Sequence, residues 1–303
     1  MAKTQEEILA ERMAAREAVM AVQAERRKDF APAEHKAIPL YENAPCYETE
    51  KLTGLQRLGA AILDTEERQQ RLELISKFED LRDSIKELVV FCAGGDHGTA
   101  MFHEGYGSCL DFIEMGYQTI LLGNRTNGCP WKGQDAAADA SRAIRYARAN
   151  AERLRIDPGK VALAGFSNGG ITGENVIQYF SGEKKMTDIY KDYQPDDLDE
   201  FYGAPDAFLC VYGPRYESAP FSWEGVVYPP VFFAIGREDG AIDNFNYVYP
   251  ILLEHNVKVE IHTFAGTPHG QAGAKLLDGY VRYPNFQMWV PLADYFLQDA
   301  FKD

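Results

Sequence analysis

Val161-Ala162-Leu163-Ala164-Gly165-Phe166-Ser167-Asn168-Gly169-Gly170-Ile171-Thr172 is an apolar run that ends in a serine flanked by small residues and continues into a helix-compatible stretch. A serine set in Gly165-Phe166-Ser167-Asn168-Gly169, after a short strand and before a helix, has the arrangement of a nucleophile elbow. The sharp turn holds the serine backbone in a strained conformation, and the small neighbours let the helix pass close to the strand. It is the placement between strand and helix, more than the pentapeptide, that points to acyl chemistry.

Other apolar runs lie on both sides of this one. Leu88 to Cys92 ends in Gly94-Gly95, and Tyr117 to Leu122 ends in Gly123-Asn124, with a helix-length segment between them. Ala136, Ala140, Ala143, Ile144 and Ala147 recur at helical spacing and predict a long helix from about Asp135 to Leu154, closed by a turn at Asp157-Pro158-Gly159. Ala207 to Tyr212, Val231 to Ile235 and Val257 to His262 continue the alternation. Short apolar strands alternating with helices predict an α/β fold, a mostly parallel sheet with helices on both faces.

No internal repeat or low-complexity linker divides the chain, so residues 87–303 are expected to form one catalytic domain and residues 1–86 an N-terminal helical extension packed on it. Within the extension, Thr4 to Asp29 reads as one long helix with a thin stripe of Leu9, Met13 and Met20. A surface helix is the expectation there, with a dimerisation arm, and hence a homo-oligomer, as the alternative. Residues 31–54 read as an extended connection, and 54–86 as a helix running through Ala61 and Ile62 followed by a strand. Two segments, near 182–205 and 212–228, are expected as small cap-like insertions. Their aromatic residues, among them Tyr216, Phe221 and Trp223, either stack on a substrate or fill the interface with the core.

Length and composition narrow the function classes. A chain of 303 residues can bury a substantial core. A net charge of −15 argues against nucleic acid or an anionic membrane as partner and favours a neutral small molecule. The N-terminus lacks the pattern of a signal peptide and no run has the length of a membrane span, so a cytoplasmic location is expected. Five scattered cysteines, Cys46, Cys92, Cys109, Cys129 and Cys210, fit reduced thiols. No metal-ligand spacing is present, and neither a metal nor a cofactor is expected.

A serine nucleophile needs a base, and the base needs an acid to orient it. In the order Ser, acid, His, only His255, His262 and His269 follow Ser167. His262 sits inside a strand pattern and His255 at a helix end. His269, on the glycine-flanked loop Gly266-Thr267-Pro268-His269-Gly270, is the expected base. The acid is expected just after the Val231 to Ile235 strand, where Asp239 is favoured over its competitors Glu238 and Asp243. Two N–H donors must meet the developing oxyanion. Asn168 is expected to supply one, and Gly95 or Asp96, in the glycine-rich loop Ala93 to Gly98, the other. That loop lacks either phosphate-binding pattern.

From about Glu87 to Gly270 the chain resembles the serine esterases of the α/β-hydrolase superfamily, in particular the branch similar to bacterial acetylxylan esterases. The likeness rests on Phe91-Cys92-Ala93-Gly94-Gly95-Asp96 with Phe102-His103-Glu104-Gly105 behind it, on Gln134 through the elbow, and on the segments leading to Asp239 and to His269-Gly270. The resemblance implies Ser167, Asp239 and His269 as the triad. Three positions depart from the branch: Ala93 replaces a proline, Asp96 a glycine and Asn168 a small residue, which points to altered substrate choice. The expected activity is hydrolysis of short-chain or aryl esters, among them acetylated or feruloylated oligosaccharides. The alternatives are a peptidase, thioesterase or acyltransferase on the same triad, or a catalytically silent binding protein.

Overall fold

A computed structural model describes residues 36–41, 61–64, 86–92, 94, 102–125, 132–215, 221–273 and 283–302. The expected helix from Thr4 to Asp29, the Arg71 to Phe78 stretch, Gly95, Asp96 and Tyr216 lie outside them.

Eight strands form one sheet in the order β1-β2-β4-β3-β5-β6-β7-β8. They are β1 (Lys36–Pro39), β2 (Ala61–Asp64), β3 (Lys86–Cys92), β4 (Tyr117–Gly123), β5 (Val161–Phe166), β6 (Ala207–Val211), β7 (Val231–Gly236) and β8 (Val259–Phe264). From β3 to β8 all neighbours pair in parallel, and β2 runs antiparallel to both β1 and β4. Strands β4 to β7 are buried along their whole length, which is why they read as unbroken apolar runs rather than alternating ones. The edge strand β8 is only partly covered. β1, at the other edge, tolerates Pro39, which no inner strand would.

One expectation is corrected here. Ala61 and Ile62 lie in β2, paired with β1 and β4, and not in a helix. Four residues are too few to show a strand period, and the Leu and Arg spacing before them carries the helical reading through. The sheet thus draws two strands from the segment before Glu87.

The connecting helices are α1 (Phe102–Glu114), α2 (Gly133–Ala149), α3 (Asn168–Phe180), α4 (Ile242–Glu254) and α5 (Trp289–Ala300). The long helix expected from Asp135 to Leu154 stops at Ala149 and resumes as one turn, Ala151–Leu154, capped by Arg155 in the left-handed region. On one face of the sheet Phe112 of α1 meets Trp289 of α5, with Phe91 and Phe166 beneath them. On the other, Gly173 of α3 lies against the Phe208 ring and Phe245 of α4 packs on Phe233.

Residues 182–205, expected as a cap, make polar contacts along α2, towards the N-terminal ends of β5 and β6, and to α3, where Lys184 Nζ donates to the Gln178 carbonyl (2.8 Å). Arg142 pairs with Asp196 and Asp199, and Arg145 donates to the carbonyls of Asp199 (2.8 Å) and Phe201 (2.7 Å). Arg148 holds the carbonyls of Tyr202, Ala204 and Pro158 and the Asp206 carboxylate. Buried guanidinium groups must be paired, and acidic residues of the expected insertion are among their partners. Residues 221–228 run beside α3: Tyr228 Oη donates to Glu174 Oε2 at 3.0 Å, and Phe221, Trp223 and Tyr228 pack on one another. Trp223 also stacks on His255 at 3.6 Å.

Candidate active site

Ser167 stands where β5 turns into α3, with φ 50° and ψ −119°. A non-glycine residue there carries about 1–3 kcal/mol of backbone strain. The turn is so tight that a Cβ on Gly165 would lie 2.2 Å from the Gly169 carbonyl oxygen, which explains why that position is glycine. Ser167 N–H donates to the Val211 carbonyl at the end of β6 (3.1 Å), and the Ser167 carbonyl accepts from Gly170 N–H (2.9 Å). The side chain is thereby presented at the C-terminal end of the sheet.

His269 lies on the loop after β8, and its Nε2 is 2.8 Å from Ser167 Oγ. Its Nδ1 is 2.7 Å from Asp239 Oδ2 on the loop after β7. The Asp239 side chain is 1% exposed and that of His269 45%, so the acid is walled in while the imidazole faces the opening. Asp239 Oδ1 accepts from Ala241 N–H (2.8 Å), which leaves the other oxygen turned to the imidazole. The competing acids Glu238 and Asp243 are exposed. The acid and histidine loops are tied directly to each other, Arg237 N–H to Phe264 O (2.9 Å) and Glu238 N–H to Thr267 O (3.1 Å). The other two histidines weighed in the sequence lie elsewhere: His262 Nε2 meets Glu260 on β8, and His255 caps α4.

Of the expected oxyanion donors, Asn168 opens α3 directly after Ser167. The loop after β3 touches the serine, because a Cβ on Gly94 would lie 2.9 Å from Ser167 Cβ. Gly94 N–H donates to Glu104 Oε2 at 2.9 Å. Gly95 and Asp96 are the expected donors that fall outside the described residues.

Two side chains that sequence reasoning did not place in the site adjoin it. Tyr212, just after β6 and with φ 42°, sets its ring edge-on to the His269 imidazole, centroids 4.9 Å apart. Its hydroxyl donates to Glu104 Oε1 at 3.0 Å and accepts from Ala272 N–H at 3.2 Å. A tyrosine at a strand end before Gly213-Pro214 was the available signal for one, and Glu104 ten residues beyond Gly94 for the other. Among the described residues no group of acidic, histidine or cysteine side chains has metal-binding geometry, and no helix is long and apolar enough to cross a membrane.

No protein-family model matches the chain. Endo-1,4-beta-xylanase B of Butyrivibrio fibrisolvens is 28% identical over 133 residues, 43% of this chain and 20% of that protein. The chain thus spans about one fifth of the length of that curated relative. Among solved structures, an acetyl ester-xyloside bifunctional hydrolase from Caldicellulosiruptor lactoaceticus aligns with TM-score 0.62 and 20% identity over 87% of this chain and 96% of its own. Esterase 2 of Thermogutta terrifontis, with propionate bound, gives TM-score 0.61 and 16% identity over 89% and 95%. An α/β-hydrolase enzyme from a Medee basin deep-sea metagenome library gives 0.59 and 19% over 88% and 97%. At these identities the likeness speaks to architecture, and with the strand order and the elbow it establishes that this chain has the α/β-hydrolase fold.

Proposed function

We propose that the protein is a serine carboxylic ester hydrolase acting on small esters with short acyl groups, with Ser167 as nucleophile, His269 as base and Asp239 as its orienting acid. The observation that carries this reading is the unbroken hydrogen-bonded chain Ser167 Oγ, His269 Nε2, His269 Nδ1, Asp239 Oδ2, at 2.8 and 2.7 Å, on a strained turn at the end of the sheet. His269 Nδ1–H donates to Asp239, so Nε2, already against Ser167 Oγ, is the nitrogen that accepts the serine proton. Oγ attacks the ester carbonyl as that proton moves to Nε2, and the carbonyl oxygen becomes an oxyanion facing the Asn168 N–H. Collapse of the tetrahedral intermediate expels the alcohol, which takes the proton from Nε2, and the acyl group stays on Oγ. Water then attacks the acyl-enzyme with His269 again as base, and the carboxylic acid leaves.

The acyl preference is drawn from the structural neighbours. The Thermogutta esterase holds propionate or butyrate and is phosphorylated by paraoxon, and the Caldicellulosiruptor protein is described as an acetyl ester-xyloside hydrolase. Together with the partial match to a xylanase, these favour acetyl to butyryl esters, with acetylated xylo-oligosaccharides as the carbohydrate candidates. Turnover of p-nitrophenyl acetate, butyrate and octanoate, a feruloyl ester, acetylated xylo-oligosaccharide and a peptide p-nitroanilide tests the reading. Fastest turnover is expected on acetate and butyrate. Cleavage of the anilide without ester cleavage would overturn it in favour of a peptidase.

A further inference from the structure

We propose that Glu104 is a positioning residue of this site, holding the loop after β3 and, through Tyr212, the histidine loop in register with Ser167. The inference rests on Ser167 being the nucleophile. Glu104 projects from the first turn of α1, a helix that contributes none of the three triad residues, and it is 3% exposed. Its two oxygens accept from two different loops: Oε2 from Gly94 N–H beside the Ser167 Cβ, and Oε1 from the Tyr212 hydroxyl. Tyr212 passes the restraint on, accepting from Ala272 N–H three residues beyond His269 and packing edge-on to the imidazole. One buried carboxylate therefore links the loops after β3, β6 and β8, which all border Ser167.

The chemistry of the link demands an acceptor at both ends. Gly94 N–H can only donate. The Tyr212 phenol is pushed well above its ordinary pKa, by burial first and then by the charge of Glu104, so it stays protonated and donates as well. An ionised carboxylate satisfies both donors. A glutamine of the same shape accepts from only one of them: its NH2 either opposes the Gly94 amide or donates to the phenol oxygen, leaving the Tyr212 proton without this acceptor. The space is equally exacting, since a Cβ on Gly94 would sit 2.5 Å from Glu104 Oε2. Gly94 N–H is thus committed to Glu104 at a point where the chain lies against Ser167. Misplacing catalytic groups by about 1 Å costs up to ~100-fold in rate.

The test uses the full chain with p-nitrophenyl acetate, comparing wild type, Glu104→Gln, Tyr212→Phe and the double variant, each with its melting temperature. Glu104→Gln is expected to lower kcat by roughly 10-fold or more, and Tyr212→Phe by roughly 3–10-fold, with KM within about twofold of wild type in both. Because both act through one link, the double variant should lose no more than about twice what Glu104→Gln loses alone. A Glu104→Gln variant with wild-type kcat, a change confined to KM, or losses that multiply in the double variant would overturn the inference. If Glu104→Gln does not fold, Tyr212→Phe decides alone: a fall in kcat at unchanged KM supports the link and an unchanged kcat overturns it. A wild-type protein that neither turns over the ester nor reacts at Ser167 with a fluorophosphonate overturns the esterase reading and this inference with it. Activity in wild type with no effect in either variant overturns only the inference.

Discussion

At the C-terminal end of the sheet, the buried carboxylates Asp239 and Glu104 each accept from a backbone amide and offer their second oxygen to a side chain of the site, His269 or Tyr212. Along α2, the buried cations Arg142, Arg145 and Arg148 are filled instead by carbonyls and acids of the 196–206 segment. Both regions obey the rule that buried charge must be paired. In the proposed mechanism the first set fixes the direction of groups that react, whereas the second fastens one stretch of chain to another. Loss of a site carboxylate should therefore appear in kcat at little cost in stability, and loss of an arginine in stability at little cost in kcat.

The largest effect that can break this contrast is Asp239→Asn. It is expected to lower kcat by about 10³–10⁴-fold, because His269 loses the acceptor that fixes its tautomer, while the melting temperature stays near wild type. Steady-state kinetics beside thermal denaturation checks it, and a variant that melts early with normal kcat per folded molecule would place Asp239 among the fasteners. Next comes Arg125→Ala. Arg125 and Asp139 are both buried and joined at 2.7 Å, tying the end of β4 to α2. Leaving Asp139 unpaired should cost about 3–5 kcal/mol in urea denaturation with KM unchanged.

Glu174 sharpens the comparison, because it is a buried carboxylate of neither kind. Oε2 accepts from Tyr228, but Oε1 has no hydrogen-bond partner among the described residues. Burial pushes its carboxyl up to about 7 from an ordinary value of 4.5, against the opposing pull of Arg215 and the Tyr228 bond. For an acid raised in the folded state, the unfolded chain gives up its proton first as pH rises. The favourable contribution is full below pH 4.5, declines through the window up to about 7 and is absent above it. The stability difference between wild type and Glu174→Gln should shift by up to about 3 kcal/mol in favour of the variant between pH 4.5 and 8, and a pH-independent difference would contradict this. The smallest expected effect is that of Arg148→Met, about 2 kcal/mol of stability with kcat on a short ester unchanged.

The sheet and the three residues of the central hydrogen-bonded chain were largely legible in the sequence, for related reasons. The inner parallel strands are covered on both faces, so their apolar runs stand out; Ser167 follows β5 directly, and Asp239 and His269 follow β7 and the partly covered β8 by short loops. What was not legible depends on partners far apart in the chain. Arg142 and Asp196 are separated by 54 residues and Tyr212 from Glu104 by 108. The helix pattern of α2 shows Arg142, Arg145 and Arg148 as a polar face, and the acidic stretch within 182–205 reads as a cap-like insertion. Only their meeting shows that the 196–206 stretch is fastened along α2. Strand β2 escaped notice because four residues carry no period of their own and its pairing lies with β1 and β4.

The most direct test of the central claim is reaction with a fluorophosphonate, followed by intact-mass and peptide mass spectrometry. The account predicts one added phosphonyl group, located on Ser167, loss of ester hydrolysis in step with labelling, and neither labelling nor hydrolysis in Ser167→Ala. Ester hydrolysis that survives in Ser167→Ala, or a wild-type protein whose Ser167 stays unmodified while the ester is turned over, would contradict it.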